Sequence, residues 1–324
     1  MKKARFTAIA LVSLMLAMLL AACGATATPT AAPAPTTAAA PAATTAASTA
    51  ATTAPATTSA KLSLSKVRLG FIPAENATKV IEQAQPFIDA LSKELGVPVE
   101  LTVGTNFTAT IEALASKKID VAWFGPFSYV LAADKYNAEA ILMQLGKNGA
   151  TSYKSMIFAN PKSGIKTIAD LKGKSFSFVD PASTSGNLIP RYTLTKAGLD
   201  PDKDVQGTFA GTHDVSILGV SSGKTDAGAV ASDIFEKLIS EGKIKESELV
   251  KVAESAPIPN SPIAVYKDMN PNDKKIIADA FLKLKDPKVL QSIIAEGFIP
   301  TTDSTYNVLR DIAKTLNLDL TKLK

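Results

Sequence analysis

The sequence predicts an α/β protein of two lobes facing each other across a cleft. Three observations predict it. From Lys66 onward, short β-rich runs alternate with amphipathic helical segments, which argues for open, mostly parallel sheets covered by helices. That grammar restarts near Ile165, so there are two units of it. About 264 residues follow Lys61, more than one compact core usually holds.

In the first unit Val67–Ile72 reads as a strand closed by Pro73. Val80, Phe87, Ile88, Leu91 and Leu95 then recur at the spacing of one buried helix face, and Gly96 ends that helix. Val99–Val103 is a second strand, followed by a helix carrying Ile111, Leu114 and Ala115. Ile119–Phe124 is a third, running into Gly125-Pro126 and another helix, and Ala140–Leu145 and Ser155–Asn160 are two more strands. The second unit has strands at Ser175–Val179, Val205–Phe209, Asp226–Val230 and Leu249–Ala253, with helices between them. A strand at Ile263–Tyr266 precedes three helical segments at the C-terminus. These patterns place lobe one at 63–164, lobe two at 165–257, and a return to lobe one at 258–324. The crossings are expected near Pro161–Ile165 and Ala256–Pro259.

The N-terminal part is of another kind. Lys2, Lys3 and Arg5 precede an apolar run from Ala8 to Leu20, which ends in Leu20-Ala21-Ala22-Cys23. A basic stretch, an apolar stretch and small residues at a cleavage site describe an export signal over residues 1–22. Cys23 is the single cysteine of the chain and sits where the sequence resembles a lipobox, whose cysteine is acylated after cleavage. The alternative, a retained membrane-spanning helix, does not account for that cysteine. Residues 23–62 are dominated by Ala, Thr and Pro and cannot bury enough apolar surface to offset the entropy of ordering, so they read as a tether.

Of the 35 basic residues three lie in the signal, leaving a mature chain of nearly balanced charge against 30 acidic residues. That balance, with neither sign in blocks, gives no footprint for nucleic acid. One histidine and one cysteine cannot furnish a His- or Cys-rich metal site, and no P-loop, dinucleotide fingerprint or nucleophile elbow is present. No enzyme, cofactor or metal is expected.

Binding chemistry is better supported. Asp180-Pro181-Ala182-Ser183-Thr184-Ser185-Gly186 lies between a predicted strand and a predicted helix. Free amide N–H groups and a positive dipole end meet there, small hydroxyls add donors, and Gly186 would let a ligand approach the backbone. An ordinary N-cap is the plainer reading of the same residues. His213 also precedes a helix and could donate to an oxyanion, which would favour its protonated form, or could simply cap. Trp123-Phe124-Gly125-Pro126-Phe127-Ser128-Tyr129 is either core or the wall of a cleft at the carboxyl end of a strand.

Taken in order, Val121-Ala122-Trp123-Phe124-Gly125-Pro126, the Asp180–Gly186 segment, Gly211-Thr212-His213-Asp214, Gly223-Lys224-Thr225-Asp226-Ala227 and Ile258-Pro259-Asn260-Ser261-Pro262 resemble the phosphate/phosphite/phosphonate-binding proteins of ABC importers. The resemblance implies a type II periplasmic-binding-protein fold, a monomer that delivers a small phosphorus oxyanion to ABC permease subunits, and a lipid anchor at the membrane. By carry-over, Ser183, Thr184, Ser185, Gly186 and His213 would hold a PO3 group. Its fourth substituent would face Phe124, Tyr129 and the turn around Phe107. Aminophosphonate binders place tyrosines and two carboxylates around the amine. Here Phe124 and Phe107 stand at tyrosine positions and Ser261 at a carboxylate position, while Asp233 matches the other carboxylate. The implied ligand therefore has a small or apolar substituent, as in phosphite or methylphosphonate, with phosphate rejected. A sulfonate, a thiamine-like precursor, or a sensor role beside a membrane receptor are the competing expectations.

Overall fold

The computed structural model describes residues 61–320. The expected signal, the expected acylation site Cys23 and nearly all of the expected tether lie outside the described residues. In chain order the elements are β1 (Val67–Phe71), α1 (Ala77–Leu95), β2 (Val99–Val103), α2 (Phe107–Ala115), β3 (Val121–Trp123), α3 (Pro126–Tyr136), β4 (Glu139–Leu145), β5 (Ser152–Tyr153) and β6 (Ser155–Ala159). There follow β7 (Ser175–Phe178), a π-helical turn (Thr184–Leu188), α4 (Ile189–Lys196), β8 (Gln206–Phe209), α5 (His213–Ser221), β9 (Ala227–Ala231), α6 (Ser232–Ser240) and β10 (Val250–Glu254). The chain ends with β11 (Ile258–Pro259), β12 (Pro262–Val265), α7 (Pro271–Lys283), α8 (Pro287–Gln291), β13 (Gly297–Pro300) and α9 (Asn307–Thr315).

Two sheets form, in the orders β13-β4-β12-β3-β1-β2 and β10-β6-β9-β7-β8. Both are mixed rather than mostly parallel. The parallel pairs are β1 with β2 and β3, and β7 with β8 and β9. The returning strand β12 inserts antiparallel between β3 and β4, and β6 runs antiparallel to both β9 and β10. A chain that leaves one sheet and later re-enters it from the other lobe brings strands in from the opposite end, which periodicity along the sequence does not reveal.

Sheet membership also moves the first crossing. The sequence pattern places β6 on lobe one, with the crossing near Pro161–Ile165. Instead β6 pairs wholly within the second sheet, so the chain crosses between Leu145 and Ser155. A fully buried apolar strand such as Ser155–Ala159 carries no mark of which sheet it joins. The two crossing segments pair with each other as β5 and β11, Tyr153 opposite Ile258 and Ser152 opposite Pro259. Tyr153 thus sits on the ribbon that joins the lobes.

Local sequence explains the elements around the cleft. The Asn76 side chain accepts from the Lys79 amide to start α1, and Gly96 ends it in the left-handed conformation. The buried face of α1, Ala84, Phe87, Ile88, Leu91 and Leu95, follows the expected spacing. Phe87 and Trp123 meet Phe281 and Phe298 in mostly edge-on ring contacts, with centroids between 5.1 and 6.3 Å apart, which fixes the first sheet against α1 and α7. β13, which contributes Phe298, is not evident in the sequence because Gly297 and Pro300 bracket only two apolar residues.

Candidate functional site

The Asp-Pro segment folds as its composition demands. Asp180 is buried; its Oδ1 accepts the Ala182 amide at 2.8 Å and its carbonyl accepts the Ser183 amide at 2.9 Å. Burial raises its pKa above the ordinary carboxylate value. Ser183 Oγ accepts the Gly186 amide at 3.1 Å, so Ser183 is the N-cap of the π-helical turn. Gly186 serves packing rather than ligand approach: a Cβ there would collide with Val179 and stand 2.9 Å from Ser183 Oγ. Val179 also donates its amide to the Gly186 carbonyl at 2.9 Å, holding the turn against the end of β7.

Thr184 and Ser185 are the hydroxyls that face the other lobe and the crossing ribbon. Thr184 Oγ1 accepts the Phe127 amide, at the start of α3, at 2.8 Å. Ser155 Oγ donates to the Ser185 carbonyl at 2.7 Å, tying the turn to β6. The Tyr153 hydroxyl interacts with the hydroxyls of both Ser185 and Thr184, while burial and the Asp233 carboxylate raise its pKa well above the ordinary phenol value. Tyr153 is therefore a protonated donor at any neutral pH. Sequence reasoning misses it; the one usable signal is a lone aromatic in the polar stretch Gly149–Lys154 between two strands.

His213 caps nothing with its ring. Its backbone N–H donates to the Ala74 carbonyl at 2.9 Å, joining α5 to the loop after β1. Nδ1 accepts the Ala231 amide at 3.2 Å, which leaves the proton of the neutral ring on Nε2. Desolvation lowers the ring's pKa from 6.5 to about 4, against an opposing effect of Asp214. In the ligand-free protein the ring is therefore neutral, since a cation would lose the Ala231 bond and sit in a desolvated site; the expected protonation concerns the anion-bound state.

The remaining candidates divide. Phe124 is fully buried yet lines a cavity of about 120 Å³ together with Trp123, Ile72, Ala74, Asp233 and Ser261. Asp233, at the start of α6, has its Oδ1 bonded to the Ile234 amide at 2.9 Å, and its pKa is pushed up to about 6, chiefly by desolvation. Tyr129 is not brought to that cavity. Its hydroxyl donates to Asp303 at 2.8 Å and its ring packs edge-on against Tyr306, centroids 5.0 Å apart, in the interior beneath α9. Every residue of the aromatic run after Gly125 is apolar or small, so no local pattern tells which side Tyr129 takes. Phe107 is likewise core, its amide directed at Asp180 Oδ2 at 3.4 Å.

The PO3 candidates and the cavity adjoin. A Cβ on Gly125 would lie 3.3 Å from Ile72 and 3.7 Å from Thr184 Oγ1. Asp233 lines the cavity and its charge acts on Tyr153. The hydroxyls of Tyr153, Thr184 and Ser185, the neutral imidazole and the N-terminus of α3 are all neutral groups, the kind of set that can donate to an oxyanion without lysine or arginine. Glu75 and Lys237 also escape sequence reasoning; they form an ion pair at the rim of the same cavity. Their one signal is position, since Glu75 lies in the short loop at the carboxyl end of β1, where open α/β sheets place ligands.

Comparison with known proteins identifies the family and the fold. The family described as "ABC transporter, phosphonate, periplasmic substrate-binding protein" matches residues 69–306. The phosphate-import protein PhnD of Mycolicibacterium smegmatis is 30% identical over 282 residues, covering 79% of this chain and 87% of that one. The phosphonates-binding periplasmic protein of Escherichia coli is 27% identical over 255 residues, 76% of this chain and 75% of that one. A protein of Prochlorococcus marinus solved with methylphosphonate superimposes with a TM-score of 0.71 at 25% identity, covering 78% of this chain and 98% of that one. The fold is that of the type II periplasmic binding proteins, and the chain belongs to the periplasmic substrate-binding proteins of phosphonate ABC transporters.

Proposed function

We propose that this chain captures a small phosphorus oxyanion by its PO3 group at the junction of Tyr153, Thr184, Ser185 and His213, and presents it, lobes closed, to an ABC permease. The observation that carries the reading is the buried Thr184–Ser185 turn, tied to the start of α3 through the Phe127 amide and to β6 through Ser155, beside Tyr153 on the ribbon where the lobes join. A tetrahedral oxyanion needs several donors directed at one point, and neutral donors at helix starts supply them while leaving release possible. His213 adds its Nε2–H as a neutral donor, and a bound anion would raise the ring's pKa.

Closure is built from bonds between the lobes. Phe127 N–H to Thr184, Ser128 Oγ to the Ala182 carbonyl at 2.9 Å, and His213 N–H to Ala74 all join the two sheets' ends. The ligand would shift the open–closed balance by adding its own bonds to both sides. The protein acts outside the cytoplasm, as its family does; Cys23 would hold it to the membrane as a monomeric lipoprotein with residues 23–62 as tether.

Calorimetric titration with phosphite, methylphosphonate, 2-aminoethylphosphonate, phosphate and sulfate tests the reading. Binding of at least one phosphorus oxyanion, weakened in both Ser185→Ala and His213→Ala, is expected. Silence across all five contradicts it. Loss of fatty-acid labelling in Cys23→Ala tests the anchor.

A further inference from the structure

Glu75 lies in the loop between β1 and α1 and is 3% exposed. One carboxylate oxygen, Oε2, is held by Lys237 Nζ, which also donates to Gln83 Oε1 at 2.9 Å. The other, Oε1, is the single buried side-chain nitrogen or oxygen among the described residues without a hydrogen-bond partner. It belongs to a residue that lines the cavity of about 120 Å³ beside the hydroxyl cluster. Buried carboxylate oxygens are seldom left without a donor, because the lost hydration is not recovered.

We infer that the fourth substituent of the ligand carries a hydroxyl that donates to Glu75 Oε1. The inference rests on the proposed function, in which the other three positions on phosphorus are the oxygens held by Tyr153, Thr184, Ser185 and His213. The O–H sits either on phosphorus, as in phosphate, or on the first carbon, as in hydroxymethylphosphonate. The cavity of about 120 Å³ shares Gln83, Asp233 and Lys237 with a neighbouring cavity of about 750 Å³, so the ligand is fixed by its donor group and not by volume. Phe124 and Trp123 flank the smaller cavity, and Glu75 and Asp233 are the two carboxylates that line it.

The charges around the cavity argue against the alternatives. A methyl group or hydrogen at this position leaves Oε1 unpaired. An ammonium would place a second cation beside Lys237, whose charge already offsets that of Glu75. Asp233 also lines the cavity, but its Oδ1 is already bonded to the Ile234 amide at 2.9 Å, and desolvation pushes its pKa up to about 6. Glu241 is occupied by Lys79 at 2.9 Å and Lys243 at 2.7 Å. The apolar substituent expected from the Phe124 and Ser261 positions is therefore replaced by a hydroxylated one, because Glu75 reaches the cavity from the β1 loop, away from every motif that carries the family resemblance.

The test is calorimetric titration of the full chain with phosphate, hydroxymethylphosphonate, methylphosphonate, phosphite and 2-aminoethylphosphonate. Wild type, Glu75→Met and the double variant Glu75→Met/Lys237→Met are compared; the double variant removes the lysine that the single one strands. One hydroxylated ligand should bind at least about tenfold tighter than methylphosphonate, and that ratio should fall to about one in either folded variant. A purely structural role in closing the lobes would weaken every ligand alike and leave the ratio unmoved, which overturns the inference. So does wild-type binding of methylphosphonate, phosphite or 2-aminoethylphosphonate as tight as that of the hydroxylated ligands. Failure of all five on wild type instead overturns the PO3 reading beneath it.

Discussion

Nδ1 of His213 accepts the backbone N–H of Ala231 at 3.2 Å, so the end of β9 dictates the tautomer of the single histidine in the chain. The neutral Nε2–H form follows, and with it a titration near pH 4 rather than near the ordinary 6.5. Nitrogen-15 NMR of the ligand-free protein should show one neutral Nε2–H imidazole throughout pH 5.5–7.5. A ring that titrates near 6.5 contradicts the assignment.

Tyr153 joins the crossing ribbon to the hydroxyl turn. Tyr153→Phe keeps the ring and its packing and removes one donor. We expect affinity for the phosphorus ligand to fall by about 1–2 kcal/mol, roughly five- to thirtyfold, with the ligand-free melting temperature little changed. Calorimetry paired with a thermal melt checks both; unchanged affinity would place the anion elsewhere.

Gly186 faces Val179, not the ligand. Gly186→Ala must therefore displace the π-helical turn, at a cost of about 1–3 kcal/mol in stability of the ligand-free protein. Chemical denaturation measures it. If stability is untouched while only binding falls, the glycine's role is ligand approach after all.

Asp233 and His213 pull the pH dependence of stability in opposite directions. The folded Asp233 holds its proton up to about pH 6 whereas the unfolded one releases it near 3.8, so its contribution declines as pH rises through that window. His213, with its folded pKa lowered to about 4, contributes stability that is lost as pH falls from 6.5 through 4. Asp233→Asn removes the first effect. The variant's advantage over wild type should grow to about 1–3 kcal/mol as pH rises from 4 to 6.5, leaving the steeper acid loss of His213 alone. Parallel urea-unfolding curves across that range would refute the burial of Asp233.

Much of the fold and part of the site are legible in the sequence alone. The α1 face is readable because five apolar residues keep one helical period, and β2 because its ends are marked by Gly96 and Gly104. The Asp180–Gly186 turn stands out because hydroxyls and a glycine at a strand–helix junction have few other uses. What stays hidden is long-range. Nothing along the chain assigns β6 to the second sheet, turns Tyr129 toward Asp303, or brings Tyr153 within reach of Ser185. Glu75 and Lys237 are 162 positions apart and meet only where the two lobes face each other.

The most direct test of the central claim is a crystal structure with the tightest-binding phosphorus oxyanion. Its PO3 oxygens should lie within hydrogen-bonding distance of Tyr153, Thr184, Ser185 and His213 Nε2. An anion held instead beside Lys147 and Gln291, out of reach of Thr184, Ser185 and His213, would contradict the account.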